Sequence, residues 1–284
     1  EINIDLDIHD LVINTMNFPL VELESSVRND SVLINNLRFF VEENSSLEIN
    51  GNLLCNFPFR DNKRFLNPDS RLDLDFNFYN FPAEYINNYI VKKHELRGEL
   101  TGNLTCHNSF QDPYFNTIFK IENPGFNRIK VKYLRSRGFY KNDSLVFEEL
   151  DLDQGGGQYS GQGLIPLEMD LYTGRAGILE DQEIEMEFSA MTGTLPFISA
   201  PPNNNIDKIT GDFFISMELS GKKGNIKKDG YFIADNASIH LDVLENSIYD
   251  LDAQGSMRDN ILYIDEMKGK MIKEQAPEIS QARS

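Results

Sequence analysis

Residues 71–78 read RLDLDFNF, and residues 96–106 read LRGELTGNLTC. In both stretches apolar or small residues alternate with polar ones. A strict period of two predicts a β-strand with one apolar side and one side that faces water. The apolar sides comprise Leu72, Leu74, Phe76 and Phe78 in the first stretch, and Leu96, Gly98, Leu100, Gly102, Leu104 and Cys106 in the second.

The same rhythm recurs along the chain in about a dozen runs of five to nine residues, so the sequence predicts an all-β, antiparallel protein. Early runs cover 2–8, 32–41 and 47–57, and Phe18-Pro19 and Phe81-Pro82 are expected to close strands, since proline cannot donate to a ladder. Later apolar sides contain Phe119 and Ile121; Ile165 and Leu167; Ile184, Met186 and Phe188; and Phe213, Ile215 and Met217.

One segment departs from this rhythm. Residues 82–91 read PAEYINNYIV, in which Tyr85, Ile86, Tyr89 and Ile90 follow a helical spacing. Proline near the start of a helix costs nothing, because its missing N–H would have no partner there. We expect one short amphipathic helix near 82–91.

Two motifs repeat at a similar distance, which indicates a duplicated block. The strand at 72–78 resembles the one at 184–188, and LRGELTGNL at Leu96 resembles ITGDFFISM at Ile209, both about 112 residues apart. We divide the chain into a partial repeat at 1–60, a repeat with the short helix at 61–182, and a repeat at 183–273. A polar tail or linker follows at 274–284. Since Glu1 already lies inside an alternating run, we expect the chain to be one segment of a longer protein.

Composition argues against several functions. A net charge of −18, from 45 acidic and 27 basic residues, repels phosphate backbones, so no nucleic-acid partner is expected. The four histidines are scattered without metal-ligand spacing, and the glycines at 155–157 lack the lysine and helix of a phosphate loop. No catalytic constellation stands out. We therefore predict a protein that is not an enzyme and holds no metal or cofactor. Cys55 and Cys106 lie on apolar sides and are expected to be small core residues, although a disulfide between them stays open.

The charge on the polar sides and the Leu, Ile, Phe and Met on the apolar sides favour an elongated, open sheet over a closed sandwich. Such a sheet must cover its apolar side, either by bending into a taco-like, concave groove or by holding a ligand. Glycines on the apolar side are expected to leave space and allow strong curvature. These are Gly98, Gly102, Gly161, Gly163 and Gly211.

The order of these motifs resembles the repeat of the TamB/AsmA-like proteins of diderm bacteria. The resemblance rests on LDLDFNF, the FP turn with its amphipathic segment, the L-x-G-x-L-x-G-x-L pattern, DPYF…FKIENPGF and GQYSGQGLIPL, and it is clearest over 71–171. It implies a periplasmic β-groove that conducts phospholipid between the inner and outer membranes and supports outer-membrane assembly. It also implies an inner-membrane anchor and an outer-membrane barrel partner, both met through regions outside this segment.

An acyl chain needs a continuous apolar path, and each CH₂ that it buries contributes about 0.8 kcal/mol. Strands stacked about 4.8 Å apart provide such a path. Two alternatives stay open: a structural or adhesive scaffold whose apolar side is covered by its own second sheet, and a periplasmic chaperone for a single lipid. The candidate lipid-binding residues are Leu72, Leu74, Phe76, Phe78, Leu96, Leu100, Leu104, Phe119, Ile121, Ile165, Leu167, Ile184, Met186, Phe188, Phe213, Ile215 and Met217.

Overall fold

The computed structural model describes residues 1–13, 16–29, 31–54, 68–86, 96–126, 129–154, 156–194, 206–241 and 246–273. Most of these residues lie in strands, so the all-β prediction is confirmed. A 3₁₀ turn, Ala83–Ile86, follows β5 directly. The strands are β1 (Ile2–Ile13), β2 (Met16–Arg28), β3 (Ser31–Glu42), β4 (Ser45–Leu54), β5 (Arg71–Pro82), β6 (Leu96–Ser109), β7 (Pro113–Phe126), β8 (Ile129–Lys130), β9 (Tyr133–Lys141), β10 (Ser144–Asp153), β11 (Gly157–Asp170), β12 (Arg175–Ile178), β13 (Glu183–Thr194), β14 (Ile206–Lys222), β15 (Lys227–Leu241), β16 (Asn246–Arg258) and β17 (Ile261–Lys273).

Strand β5 illustrates how the alternation produces the fold. Its apolar residues from Leu72 to Phe78 are buried or half-buried, whereas Arg71, Asp73 and Asp75 are exposed. Successive side chains of a strand point to opposite sides, so the sequence pattern becomes a difference in environment. The predicted polarity of the two sides is confirmed for this strand.

The first of two compact units comprises Glu1–Gly155, Ser160–Glu187 and Leu219–Ile226. In this unit each strand from β1 to β6 pairs in an antiparallel ladder with the next strand in the chain. Strand β7 then pairs with β9, and β9 pairs with β10. The two-residue β8 lies beside the end of β7. Strand β11 pairs with β12 and with β13.

The second unit comprises Gly156–Tyr159, Phe188–Glu218 and Lys227–Ser284. Antiparallel ladders join β15 to β16 and β16 to β17. Strand β14 runs beside β15, since a Cβ built on Gly230 would lie 2.9 Å from the Cα of Met217. The repeat boundaries at 1–60, 61–182 and 183–273 stay a prediction.

Some expectations fail or fall outside the described residues. Strand β2 and most of β15 were not predicted. The expectation that Pro19 closes a strand is wrong, because Pro19 lies inside β2. Of the predicted amphipathic helix, the described part is the 3₁₀ turn, and 87–91 lies outside the described residues. Cys55 and the tail from residue 274 also lie outside them. No helix in the described ranges is both long and apolar enough to cross a membrane.

Candidate functional site

One side of the first unit carries rows of mostly apolar side chains that run from strand to strand. Residues directly opposite each other in an antiparallel ladder share a side of the sheet, so the register defines each row. Nine strands at about 4.8 Å spacing make a row on the order of 40 Å long. Two such rows lie next to each other on the same side of the sheet, and we call this side the first apolar face. The first row contains Ile8, Val21, Phe39, Leu47, Phe78, Gly102, Phe119, Ser136 and Leu150. The second row contains Leu6, Leu23, Leu37, Ile49, Phe76, Leu104, Thr117, Gly138 and Phe147.

The register brings together the predicted site residues on β5, β6 and β7. Phe76 lies opposite Leu104, and Leu100 lies opposite Ile121. Phe78 and Phe119 flank Gly102 in one row. Leu72, Leu100 and Ile121 are buried, whereas Leu74, Phe76, Phe78, Leu104 and Phe119 are half-buried. The side chain of Leu96 lies outside the described residues.

A second group of predicted residues lies on β11 and β13. Met186 is buried, and Ile165, Leu167 and Ile184 are half-buried. A Cβ built on Gly163 would lie 2.7 Å from the Cα of Met186, so the two strands are side by side at this point. Leu167 on β11 also donates its N–H to the backbone oxygen of Asp143, so this group lies next to the hairpin of β9 and β10.

The remaining predicted residues belong to the second unit. Phe213 is buried in a small cluster with Ala234, Ala237 and Leu251. Phe188, Ile215 and Met217 are half-buried. The same side of the sheet continues through β16 to β17, where the side chains are exposed. We call it the second apolar face, and on β17 it contains Leu262 (54% exposed), Ile264 (51%), Met267 (66%) and Met271 (63%).

Aromatic residues and the 3₁₀ turn cover one end of the first apolar face. The ring of Tyr85 lies 5.6 Å from that of Phe18 on β2 and 5.5 Å from that of Phe81 on β5. The Tyr85 hydroxyl donates a hydrogen bond to the backbone oxygen of Asn17 at 3.2 Å, and Ala83 is fully buried. We call Phe18, Val21, Phe81, Ala83, Leu100 and Ile121, with Tyr85 packed against them, the aromatic cover.

Sequence reasoning missed part of this face. Phe18, Val21, Phe39, Phe115 and Tyr140 were not named as site residues, although the register places the last four in the rows of the first apolar face or beside them. Alternation in VELESSV at 21–27 was a usable signal for Val21. For the contact between Tyr85 and Phe18 the sequence carries no signal, because residues on β2 and in the 3₁₀ turn meet only in the folded chain.

The glycines on the apolar side have a different role from the one expected. A Cβ on Gly102 would lie 2.3 Å from the backbone oxygen of Ile118, and one on Gly211 would lie 2.4 Å from the Cα of Ala237. Gly211 also has a φ of 135°, which side chains rarely tolerate. The expectation that these two glycines leave free space is wrong, because they allow close approach of neighbouring backbones.

Cys106 and Tyr140 are titratable groups on the apolar side whose pKa values are raised, so both are neutral at neutral pH. Cys106 is a free, buried thiol whose pKa is raised to about 12 by its burial, so the expectation of a small core residue is confirmed. Burial, helped by the charge of Asp143, also raises the pKa of Tyr140 to about 12. The Tyr140 hydroxyl donates to Asp143 Oδ1 at 3.2 Å and accepts the N–H of Met169 at 3.0 Å. Neither group is a ready nucleophile.

The opposite side of the first unit carries the charges. Arg38 contacts Glu48 and lies 3.9 Å from Glu22, and Lys120 lies 2.5 Å from Glu122. Over the described ranges, no group of three or more His, Cys, Asp or Glu side chains is arranged to hold a metal ion. The two sides therefore separate apolar from charged chemistry.

Comparison with known proteins found no family model, no curated protein and no solved structure that matches the chain.

Proposed function

We propose that this chain is a non-enzymatic segment that binds phospholipid acyl chains on its apolar faces and conducts them along the sheet. The observation that carries the proposal is the pair of apolar rows across nine strands of the first unit. Acyl chains need no hydrogen-bonding partner, and the two rows offer them apolar side chains on every one of these strands except β9, where the rows contain Ser136 and Gly138. Burial of each CH₂ contributes about 0.8 kcal/mol.

The exposure of the rows supports this proposal. Residues such as Phe76, Leu104 and Phe119 are half-buried, whereas the interior of a two-layer domain buries such side chains fully. Apolar side chains in this state still have surface to offer to a ligand. The exposed residues of β17 offer more of it in the second unit.

Convergence of side chains over the first apolar face supports a concave shape. Three strand spacings, each about 4.8 Å, separate β2 from β5 in the ladder. Even so, the rings of Phe18 and Phe81 both contact the ring of Tyr85, at 5.6 and 5.5 Å. A bend of the sheet toward this side would bring them together, as a groove requires.

The resemblance to TamB/AsmA-like repeats suggests where such a segment would act. In this proposal the chain lies in the periplasm and supports outer-membrane assembly, with its membrane contacts made by regions outside this segment. The net charge of −18 favours lipids whose headgroups carry no net negative charge.

Native mass spectrometry of the purified chain, combined with lipid extraction, tests the proposal. Several phospholipids per chain are the expected result. One lipid per chain would favour a single-lipid chaperone, and a folded protein without lipid would favour a scaffold with a self-covered core. Either of these outcomes would refute the proposal that the chain conducts lipid along a groove.

Two neighbouring substitutions locate the lipid. Phe76→Asp places a charge in an apolar row, and it should abolish lipid co-purification because the charge must be desolvated under an acyl chain. Asn77→Asp adds the same charge on the other side of β5, where Asn77 Oδ1 accepts a hydrogen bond from Asn103 at 3.0 Å, and lipid should be retained. A photo-crosslinking residue at position 76 should label lipid, and one at position 77 should not. Equal labelling at both positions would refute the assignment of the face even if Phe76→Asp unfolds.

A further inference from the structure

An open cavity lies on the polar side of the first unit, at the ends of β4, β5 and β6. Its volume is about 610 Å³, which is within the range of roughly 300–1,000 Å³ that is usual for small-molecule sites. The ladders place Asn52, Asp73 and His107 directly opposite one another, so their side chains share one side of the sheet. This is the side that carries the charges, opposite to the first apolar face. The lining residues are Asn52, Leu54, Arg71, Leu72, Asp73, His107, Asn108, Ser109 and Asp112.

Contacts among these residues hold several polar groups of the cavity in place. The Nδ1 atom of His107 lies 2.5 Å from Asp73 Oδ1. The His107 ring also stacks on the ring of Tyr114, with 5.9 Å between centroids and 20° between planes. The backbone N–H of Asp112 donates to Ser109 Oγ at 3.1 Å. Groups that are already oriented lose less freedom when a ligand binds, so the cavity is organised before it is filled.

The same polar groups keep donors and acceptors for a ligand. The guanidinium of Arg71 can only donate, whereas the carboxylates of Asp73 and Asp112 can only accept. The Asp73 side chain is 73% exposed, although one of its oxygens contacts the histidine. Asn52 Oδ1 accepts a hydrogen bond from the Ser31 hydroxyl, and its NH₂ group remains as a donor. A ligand that fills this cavity must therefore both donate and accept hydrogen bonds.

The order of the charges distinguishes between classes of ligand. Arg71 is two residues from Asp73 on the same side of β5, and it lies opposite Ser109, to which Asp112 is bonded. A simple anion would meet two carboxylates here, and a simple cation would meet the guanidinium. A zwitterion needs two separate charged ends, whereas this cation lies next to a carboxylate on its own strand. A neutral ligand with many hydroxyl groups avoids these repulsions, because each hydroxyl both donates and accepts.

We propose that this cavity binds a saccharide without net charge. Two leucines complete the match, since Leu54 and Leu72 line the cavity together with the polar groups and Leu54 is 42% exposed. A sugar ring presents an apolar C–H face beside its hydroxyl groups, so one ligand can contact both kinds of side chain. The site is separate from the proposed lipid path, because the two lie on opposite sides of the sheet. The chain would then hold a glycan on one side and acyl chains on the other.

NMR titration of the ¹⁵N-labelled chain tests the proposal. The saccharide probes are lactose, maltose, mannobiose and diacetylchitobiose, and the charged comparison ligands are glycine and inorganic phosphate. At least one disaccharide should shift the amide signals of the lining residues, with a dissociation constant on the order of 1 mM because an open site makes few contacts. Glycine and phosphate should leave these signals unchanged. The proposal is overturned if no disaccharide binds at tens of millimolar, or if a charged ligand binds instead.

Matched substitutions on β5 locate the saccharide. Arg71→Ala removes the donor at the cavity and should weaken binding about tenfold or more. Asp75→Ala is the control, because Asp75 is also exposed on the polar side of β5 but does not line the cavity. Both changes are at exposed positions, where substitutions usually alter stability little, and circular dichroism checks that the variants are folded. Equal loss of binding in the two variants, or no loss in Arg71→Ala, would show that the saccharide does not occupy this cavity.

Discussion

The buried clusters of the two units differ in the size of the side chains that build them. In the first unit the cluster contains Phe18, Phe81, Leu100 and Ile121, with Tyr85 packed against them. In the second unit two of the four buried members are Ala234 and Ala237. Both units alternate apolar and polar residues, and yet their apolar faces reach different degrees of cover.

The difference shows that the alternation determines which side of the sheet is apolar. The size of the side chains then determines how much of that side is buried by its own residues. A buried aromatic side chain removes roughly 150–250 Å² from water and can contact a ring several strands away. An alanine methyl group contacts only its immediate neighbours. The aromatic cover closes one end of the first apolar face, whereas Met267 and Met271 on β17, in the second apolar face, are more than 60% exposed.

Among substitutions that test this difference between the units, Phe81→Ala should change the free energy of unfolding most. Phe81 is 4% exposed, and its truncation should lower the free energy of unfolding by about 3–5 kcal/mol through lost burial and a cavity. Met267→Ala, at 66% exposure in the second unit, should change it by less than about 0.5 kcal/mol. Urea denaturation combined with hydrogen exchange of each unit measures both. Equal losses in the two variants would contradict the contrast between the faces.

Cys106 reports whether the first apolar face excludes water. With a pKa raised to about 12, its thiol should react with iodoacetamide at pH 8 about a thousandfold more slowly in the folded than in the unfolded chain. A Cys55→Ser background makes the reaction specific to Cys106. The unfolded thiol ionises above pH 9 and the folded one does not, so this contribution to stability is complete below pH 9 and is lost as the pH rises toward about 12. Rapid alkylation of the folded chain would show that the face is wet.

Within the aromatic cover, Tyr85→Phe should have a smaller effect on stability than Phe81→Ala. This substitution keeps the ring between Phe18 and Phe81 and removes only the hydrogen bond to the backbone oxygen of Asn17. The free energy of unfolding should fall by about 0.5–1.5 kcal/mol. Tyr85→Ala removes the ring as well and should cost clearly more. If the two variants lose the same stability, the hydroxyl and not the ring holds the aromatic cover in place.

A strand with an unbroken period of two is the easiest to predict from the sequence, and most of β15, whose phase changes, was not predicted. Residues 72–78 keep one phase throughout and became β5. Strand β15 changes phase at a bulge between Ala234 and Ala237, where Asn236 adopts a φ of 48°. On this side of the strand the residues are even-numbered before the bulge (Phe232, Ala234) and odd-numbered after it (Ala237, Ile239). No single alternation therefore runs through the strand.

The candidate site was predictable to a similar degree. The alternation of apolar and polar residues was enough to assign Phe76, Leu104 and Phe119 to the apolar side, and the register places Phe76 opposite Leu104. The aromatic cover was not predictable, because it joins residues on β2 and β5 with the 3₁₀ turn through tertiary contacts. The alternation also did not predict why residue 102 is glycine, because that depends on how closely the backbone of β7 approaches it.

The ladders from β1 to β7 join each strand to the one made just before it. Contacts of such short sequence separation have a low loop-closure cost and favour fast folding. Each hairpin of the first unit can therefore add to the strands that have already left the ribosome, with no need to wait for a distant partner. A gene that gains or loses one hairpin would change the length of the row and leave the rest of the assembly order intact.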